Sequence, residues 1–256
     1  MDKDQIKKGL ITLFEDMLKH GKEFKRSKYA NVYEEGRKRH RKVVDAIADF
    51  CAEAQDGERD ALIEEFASVI PEYAYEQMQS VKKSMKNKRH VDFNMNMAVY
   101  VVPIINHSRK EDCVAVARRM VELWNEKGVT PMQLSYSTYE DIAGGFKRRF
   151  CYITTAVCDS QNKPDDCYEL TAFRNFRDEY MLASTEGRKL VEEYYEIAPG
   201  IVLMINMQKD AKEIYHDIYR RYLLPCLSQI EAGDKKACQE HYASMVRELE
   251  EKYLYS

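Results

Sequence analysis

Between residues 4 and 24, apolar side chains return every three or four positions: Ile6, Leu10, Leu13, Phe14, Met17 and Leu18, with lysines and acids between them. That rhythm predicts a helix that hides one face. A second helix is expected from near Ala30, carrying Val32, Val43, Val44, Ile47, Ala48, Phe50 and Cys51 and stopping at Asp56-Gly57. The third holds Leu62, Ile63, Phe66 and Val69 and should end before Pro71, because the residue preceding a proline is pushed out of the α region. A fourth then runs over residues 72–85.

Residues 90–107 carry two rhythms at once. Val91, Phe93, Met95 and Met97 alternate as in a strand, whereas Met97, Val101, Ile104 and Ile105 fit a helix, and Pro103 argues against a central strand. A buried helix is the favoured reading, with a short strand or hairpin near 91–105 or 151–157 as the alternative. Ser108-Arg-Lys-Glu111 has the form of a capping box and precedes the apolar face of Cys113, Val116, Met120, Leu123 and Trp124, ending at Gly128. Ser137-Thr-Tyr-Glu140 repeats that signature before a short helix that Gly144-Gly145 should end. This glycine pair marks the expected division into an N-terminal helical bundle, 1–145, and a Cys-containing helical module, 146–256.

Beyond it the pattern predicts a helix or short strand from Cys151, a turn over 162–166, and helices over 167–181, 185–197 and 199–224. Pro199 would sit in a first turn, where its missing amide costs nothing. A break at Pro225 and a last helix over 234–253 follow. The expected fold is mainly α, a multi-helix bundle.

Composition agrees with that expectation. In 256 residues there are only 10 Gly and 6 Pro, and 45% of the chain is hydrophobic, so few punctuators interrupt long helices around a real core. The formal charge of -3 offers no global basic field for nucleic acid. The first residues are charged, without the apolar core of a signal peptide, and the longest apolar run, 97–105, is about half the ~20 residues a membrane helix needs. A cytoplasmic protein without a membrane segment is expected, its seven cysteines reduced rather than paired.

Several segments could carry chemistry. Cys151-Tyr-Ile-Thr-Thr-Ala-Val-Cys158 leads across a polar turn to Cys167, then to Phe173-Arg-Asn-Phe-Arg-Asp178, Tyr194-Tyr195 and Pro199. Over about residues 151–206 this resembles the bacterial CFI-box C-terminal domain family, with its Cys-aromatic-Ile block, Arg-rich aromatic helix and paired tyrosines before a proline. The chain departs from that pattern at Tyr152, where the family has Phe, and at Val157-Cys158, where it commonly has Tyr-Gly. The resemblance implies no known activity.

On a helix, Cys151 and Cys158 share a face but stand roughly 10 Å apart. Cys158 and Cys167 instead flank the polar turn, which could bring their sulfurs close. Asp165 or Asp166 as an N-cap would place Cys167 in a first turn, where the helix dipole favours thiolate. Cys238 and His241 are i, i+3 neighbours, and Cys226 follows Pro225. Cys151, Cys158, Cys167, Cys226, Cys238 and His241 are therefore the candidate thiol or metal residues, although zinc prefers four such ligands and no paired C-x-x-C clusters occur. The plainer reading makes these cysteines small buried hydrophobes.

Arg174 and Arg177, at i, i+3, are a candidate anion fork, against the commoner use of such arginines in internal ion pairs. Tyr194 and Tyr195 point to different helix faces. Glu213-Ile-Tyr-His216 has the carboxylate-imidazole spacing of di-iron bundles, but no second copy exists. Basic runs at 37–42 and 82–89 lack interleaved aromatics and read as solvated faces.

The expected role is thus a non-enzymatic interaction or scaffold protein that binds a protein partner or another copy of itself. Nucleic acid and cofactors are not expected. Set against this is a thiol-dependent or zinc enzyme centred on the C-terminal cysteines.

Overall fold

The computed structural model describes residues 1–55, 57–147 and 151–255, and among them every regular element is helical. The mainly α fold read from the sequence is the fold observed, and neither proposed strand forms. The chain divides into two compact units, Met1–Gly144 and Gly145–Ser256. No helix among the described residues is long and apolar enough to cross a membrane.

In the first unit, α1 (Lys3–Leu18) starts at a capping box in which Asp2 and Gln5 each accept the other's backbone amide. It packs against α2 (Tyr29–Glu53) and α3 (Glu58–Ser80), and α3 lies along α6 (Glu111–Lys127). At the contact of the first two helices, a Cβ on Gly36 would come within 2.5 Å of the Met17 sulfur, so the missing side chain permits the approach.

The helix expected to stop before Pro71 does not stop. Phe66, Ile70, Ala74 and Met78 are all buried four residues apart, so one apolar stripe continues through the proline. Packing of that stripe outweighs the local bias against helix before proline.

The centre of this unit is the run of α4 (Lys86–Asn96), a wide-turn π segment Met97–Val101, and α5 (Val102–Asn106), buried without interruption from Phe93 to Asn106. Pro103 has no N–H to give the Val99 carbonyl, which receives the Tyr29 hydroxyl at 3.0 Å. The Val102 amide turns to Met97 O, and the Ser137 hydroxyl bonds Ala98 O at 2.6 Å. Asn94, fully buried, accepts from Trp124 Nε1 at 2.9 Å and from the Thr130 hydroxyl at 2.6 Å.

Two predicted caps shift. At α6 the N-cap is Lys110, with Arg109 in the left-handed region at φ 54°, so the box at Ser108 and Glu111 is not made. Before α7 (Tyr139–Lys147) the reciprocal pair is Thr138 and Asp141, one residue later than expected, because the Ser137 hydroxyl is committed to Ala98 O. The α7 helix also runs through Gly144 and Gly145, which the sequence reading took as its end.

The second unit holds α8 (Tyr152–Ser160), α9 (Tyr168–Asn175) continued by a π segment Phe176–Tyr180, α10 (Thr185–Asn206), α11 (Ala211–Ile218), a π segment Tyr219–Leu223, α12 (Leu224–Glu231) and α13 (Lys235–Glu250). Pro199 lies inside α10, flanked by buried Tyr195, Ala198, Ile201 and Met204, rather than opening a helix. The expected break at Pro225 is likewise absent. The wide turn Tyr219–Leu223 precedes that proline and relieves its ring, as Met97–Val101 does before Pro103.

Candidate thiol and metal site

The α8 helix ends where the amides of Gln161 and Lys163 both turn onto Cys158 O, each at 3.0 Å, and Asn162 takes φ 56°. Asparagine tolerates that left-handed conformation better than most residues. The chain then reverses: the Cys167 amide donates to Pro164 O at 3.0 Å, and Thr171 N to Cys167 O at 3.0 Å starts α9. Cys167 is itself the N-cap, with φ -60° and ψ 159°, so neither Asp165 nor Asp166 takes the capping role expected of them.

This reversal faces the last turn of α8 toward the first turn of α9. Cys158 Sγ, Cys167 Sγ and a Glu169 carboxylate oxygen all lie within 4.8 Å of one another. Among the described residues this is the one group of three Cys, His, Asp or Glu ligand atoms so placed. Cys158 is buried, while Cys167 and Glu169 are half-buried. Lys163 Nζ pairs with Glu169 Oε1 and stands 4.7 Å from the Tyr219 ring, whose hydroxyl donates to the same oxygen at 3.3 Å.

Burial, then hydrogen bonding with Cys167, pushes the Cys158 thiol up to about 12, against the pull of the Lys163 charge. Burial also works against ionised Glu169. The bonds from Lys163 and Cys167 outweigh it and hold the carboxyl below its ordinary range.

The other candidates separate from this group. Cys151 is buried beside Arg177, whose Nη1 lies 3.9 Å from its sulfur and donates to the Tyr195 hydroxyl at 3.1 Å. The Tyr194 hydroxyl accepts from Ile153 N at 2.9 Å, and Thr154 Oγ1 lies 3.3 Å from the Tyr242 hydroxyl. Cys151, the arginine helix and the paired tyrosines therefore meet in one partly buried polar cluster. Burial raises the Cys151 thiol against the guanidiniums of Arg177 and Arg174, so the setting stabilises thiol over thiolate.

Cys226 and Cys238 are both fully buried, Cys226 Sγ lying 3.9 Å from Cys238 O, and the His241 ring faces Tyr222 at 6.1 Å. Neither cysteine nor His241 completes the group at Cys158, because α12 and α13 use those sulfurs to pack against each other. Arg174 and Arg177 do not form a common fork either. Arg174 bonds Asp165 at 2.6 Å, and Arg177 bonds Asp178 at 2.7 Å.

Among the described residues, Glu213 and His216 join no ligand group. In the basic run, Arg37 pairs with Glu34 at 2.6 Å, Arg39 with Asp16, and Arg41 with Asp45 at 3.1 Å, but the face is not wholly solvated, since His40 is buried with its Nε2 2.9 Å from Asp16.

Glu169 and Lys163 were not singled out from sequence. The available signal was Cys167-Tyr-Glu169 at a helix start, with a lysine inside the preceding turn. Comparison with family models, with curated proteins and with solved structures finds no match.

Proposed function

We propose that the C-terminal unit is a thiol-based cation-binding module in which Cys158, Cys167 and Glu169 hold a soft divalent ion, zinc being the one this donor set suits best. What carries the reading is the convergence of these three donor atoms within 4.8 Å across a chain reversal. Sulfur and carboxylate ligands bind zinc at ~2.0–2.3 Å, so modest inward movement of three side chains closes the set. Three donors leave the fourth tetrahedral position to water or an outside ligand, the arrangement that catalytic zinc sites share. Lys163 would yield or share Glu169 when the ion enters. All seven cysteines are free thiols, which fits a reducing, cytoplasmic setting.

Titration of the full chain with zinc against a chromophoric chelator tests this. The expected result is about one ion per chain, lost in Cys158→Ser and in Cys167→Ser. Absence of binding by the unsubstituted chain, or binding by either variant equal to that of the unsubstituted chain, overturns it.

A partner-binding role has its own observation. A groove of about 250 Å³ between α9, α12 and α13 is lined by Tyr168, Thr171, Phe176 and Ile230, and Tyr168 is 59% exposed. Self-association that depends on concentration in sedimentation and disappears in Tyr168→Ala would support it, and a monomer at all concentrations would remove the self-association form.

A further inference from the structure

Seven thiols in one chain are not equivalent. Cys226 and Cys238 are a sulfur pair sealed between two regular helices, both fully buried. Cys51 and Cys113 are buried too, with Cys113 Sγ held 3.6 Å from Val44 O. Cys158 and Cys167 are also a close pair, their sulfurs within 4.8 Å, but they differ in two respects: one of them is half-exposed, and the connection between them is a loop whose Asn162, Pro164, Asp165 and Asp166 are exposed.

We infer that Cys158 and Cys167 form a reversible dithiol-disulfide couple, so that the same two sulfurs either hold a cation or bond to each other. The second half of that statement rests on the cation-binding reading; the first does not. A disulfide needs sulfurs ~2.05 Å apart and Cα atoms ~4.4–6.8 Å apart. The remaining approach falls on the 161–166 connection, where a backbone shift strains bonds such as that from Arg174 to Asp165 but moves no buried side chain. For Cys226 and Cys238 the same approach would have to deform two packed helices.

The oxidant is a small-molecule disulfide such as oxidised glutathione. Cys167, half-exposed at the N-terminal end of α9, loses its proton to solvent and attacks one glutathione sulfur. The glutathione S–S bond breaks, a Cys167-glutathione bond forms, and one glutathione thiolate leaves and takes up a proton. Cys158, already beside Cys167, then loses its proton and displaces the second glutathione. Two protein thiols and one glutathione disulfide give one protein disulfide and two glutathione thiols, a two-electron exchange that excess thiol reverses. Once bonded, neither sulfur can donate as thiolate to a metal, so oxidation expels the ion.

The experiment uses the full chain, first stripped of metal with a chelator and equilibrated with oxidised glutathione. After acid quenching and denaturation, free thiols are alkylated and each cysteine is scored by mass spectrometry. The expected result is loss of two hydrogen masses, with Cys158 and Cys167 protected, the other five cysteines alkylated, and full reversal by dithiothreitol. In Cys158→Ser the expected product is a lasting glutathione adduct on Cys167. Alkylation of Cys158 and Cys167 after oxidation overturns the couple, as does a persistent glutathione adduct in the unsubstituted chain or preferential oxidation of Cys226 and Cys238. A separate zinc titration of oxidised and reduced chains reads the regulatory half: occupancy should fall from about one ion per chain to near none on oxidation. If the disulfide forms but the reduced chain never binds zinc, the cation-binding reading fails and the couple stands. Equal zinc binding by the two forms overturns the mutual exclusion.

Discussion

A proton and a metal ion compete for the sulfur of Cys158. Burial raises this thiol to about 12, so near neutral pH it is protonated and must release that proton on binding. Glu169, held below its ordinary carboxyl range, is already ionised there. The sign follows: lowering pH favours the protonated thiol and weakens cation binding, and raising it strengthens binding by about tenfold per pH unit for this proton alone. Glu169→Gln keeps the shape but removes the charge of a direct ligand, and is expected to weaken zinc binding by at least the ~10–100-fold that losing a ligand's supporting partner costs, while leaving the pH slope in place, since the slope belongs to sulfur. Chelator competition between pH 6 and 8, taken as ~two pH units of range, reads both effects. An abolished slope in Glu169→Gln would assign the proton to the carboxylate instead. At this scale the meeting of Cys158 and Cys167 was legible, because a polar turn between two helical segments must reverse the chain. Glu169 was not, because its place depended on Cys167 being the N-cap itself, one or two residues beyond the expected cap, which brought the cap and the first turn toward α8.

Prolines decided where sequence and structure part at the scale of elements. Pro71, Pro199 and Pro225 were each read as helix boundaries, and each lies within a continuous helical run. Local rules count the missing amide and the crowded preceding residue. They do not count a buried stripe that continues on both sides, such as Phe66, Ile70, Ala74 and Met78. Pro103 shows what such a residue demands of its surroundings, since Tyr29 from a distant helix supplies the donor that position 103 lacks. Tyr29 is 1% exposed, so Tyr29→Phe withdraws a hydroxyl from a buried carbonyl that has no Pro103 amide to turn to. The expected cost is roughly 1–3 kcal/mol in urea unfolding with an unchanged m-value. A cost below about 0.5 kcal/mol would mean that this bond adds little to what neighbouring amides already provide.

For the whole molecule, the division into Met1–Gly144 and Gly145–Ser256 places the candidate site wholly within the second unit. Ligand binding stabilises only the cooperative unit whose native state forms the site, by RT ln(1 + [L]/Kd), about 2.7 kcal/mol at a hundredfold excess over Kd. Amide exchange reads such a gain region by region, since each helix opens with the unit to which it belongs. Zinc at that excess is therefore expected to slow exchange across α8, α9 and the buried helices packed on them, by up to about 100-fold where exchange requires opening of the whole unit. The amides of α1, α2, α3 and α6, whose core is built from Phe14, Ile47, Phe66, Ile70 and Trp124 in the first unit, should keep their rates. Uniform slowing through both units would show that they unfold as one cooperative body. Slowing confined to residues 158–169 would show that the ion orders only the chain reversal, without adding to the stability of the helices around it.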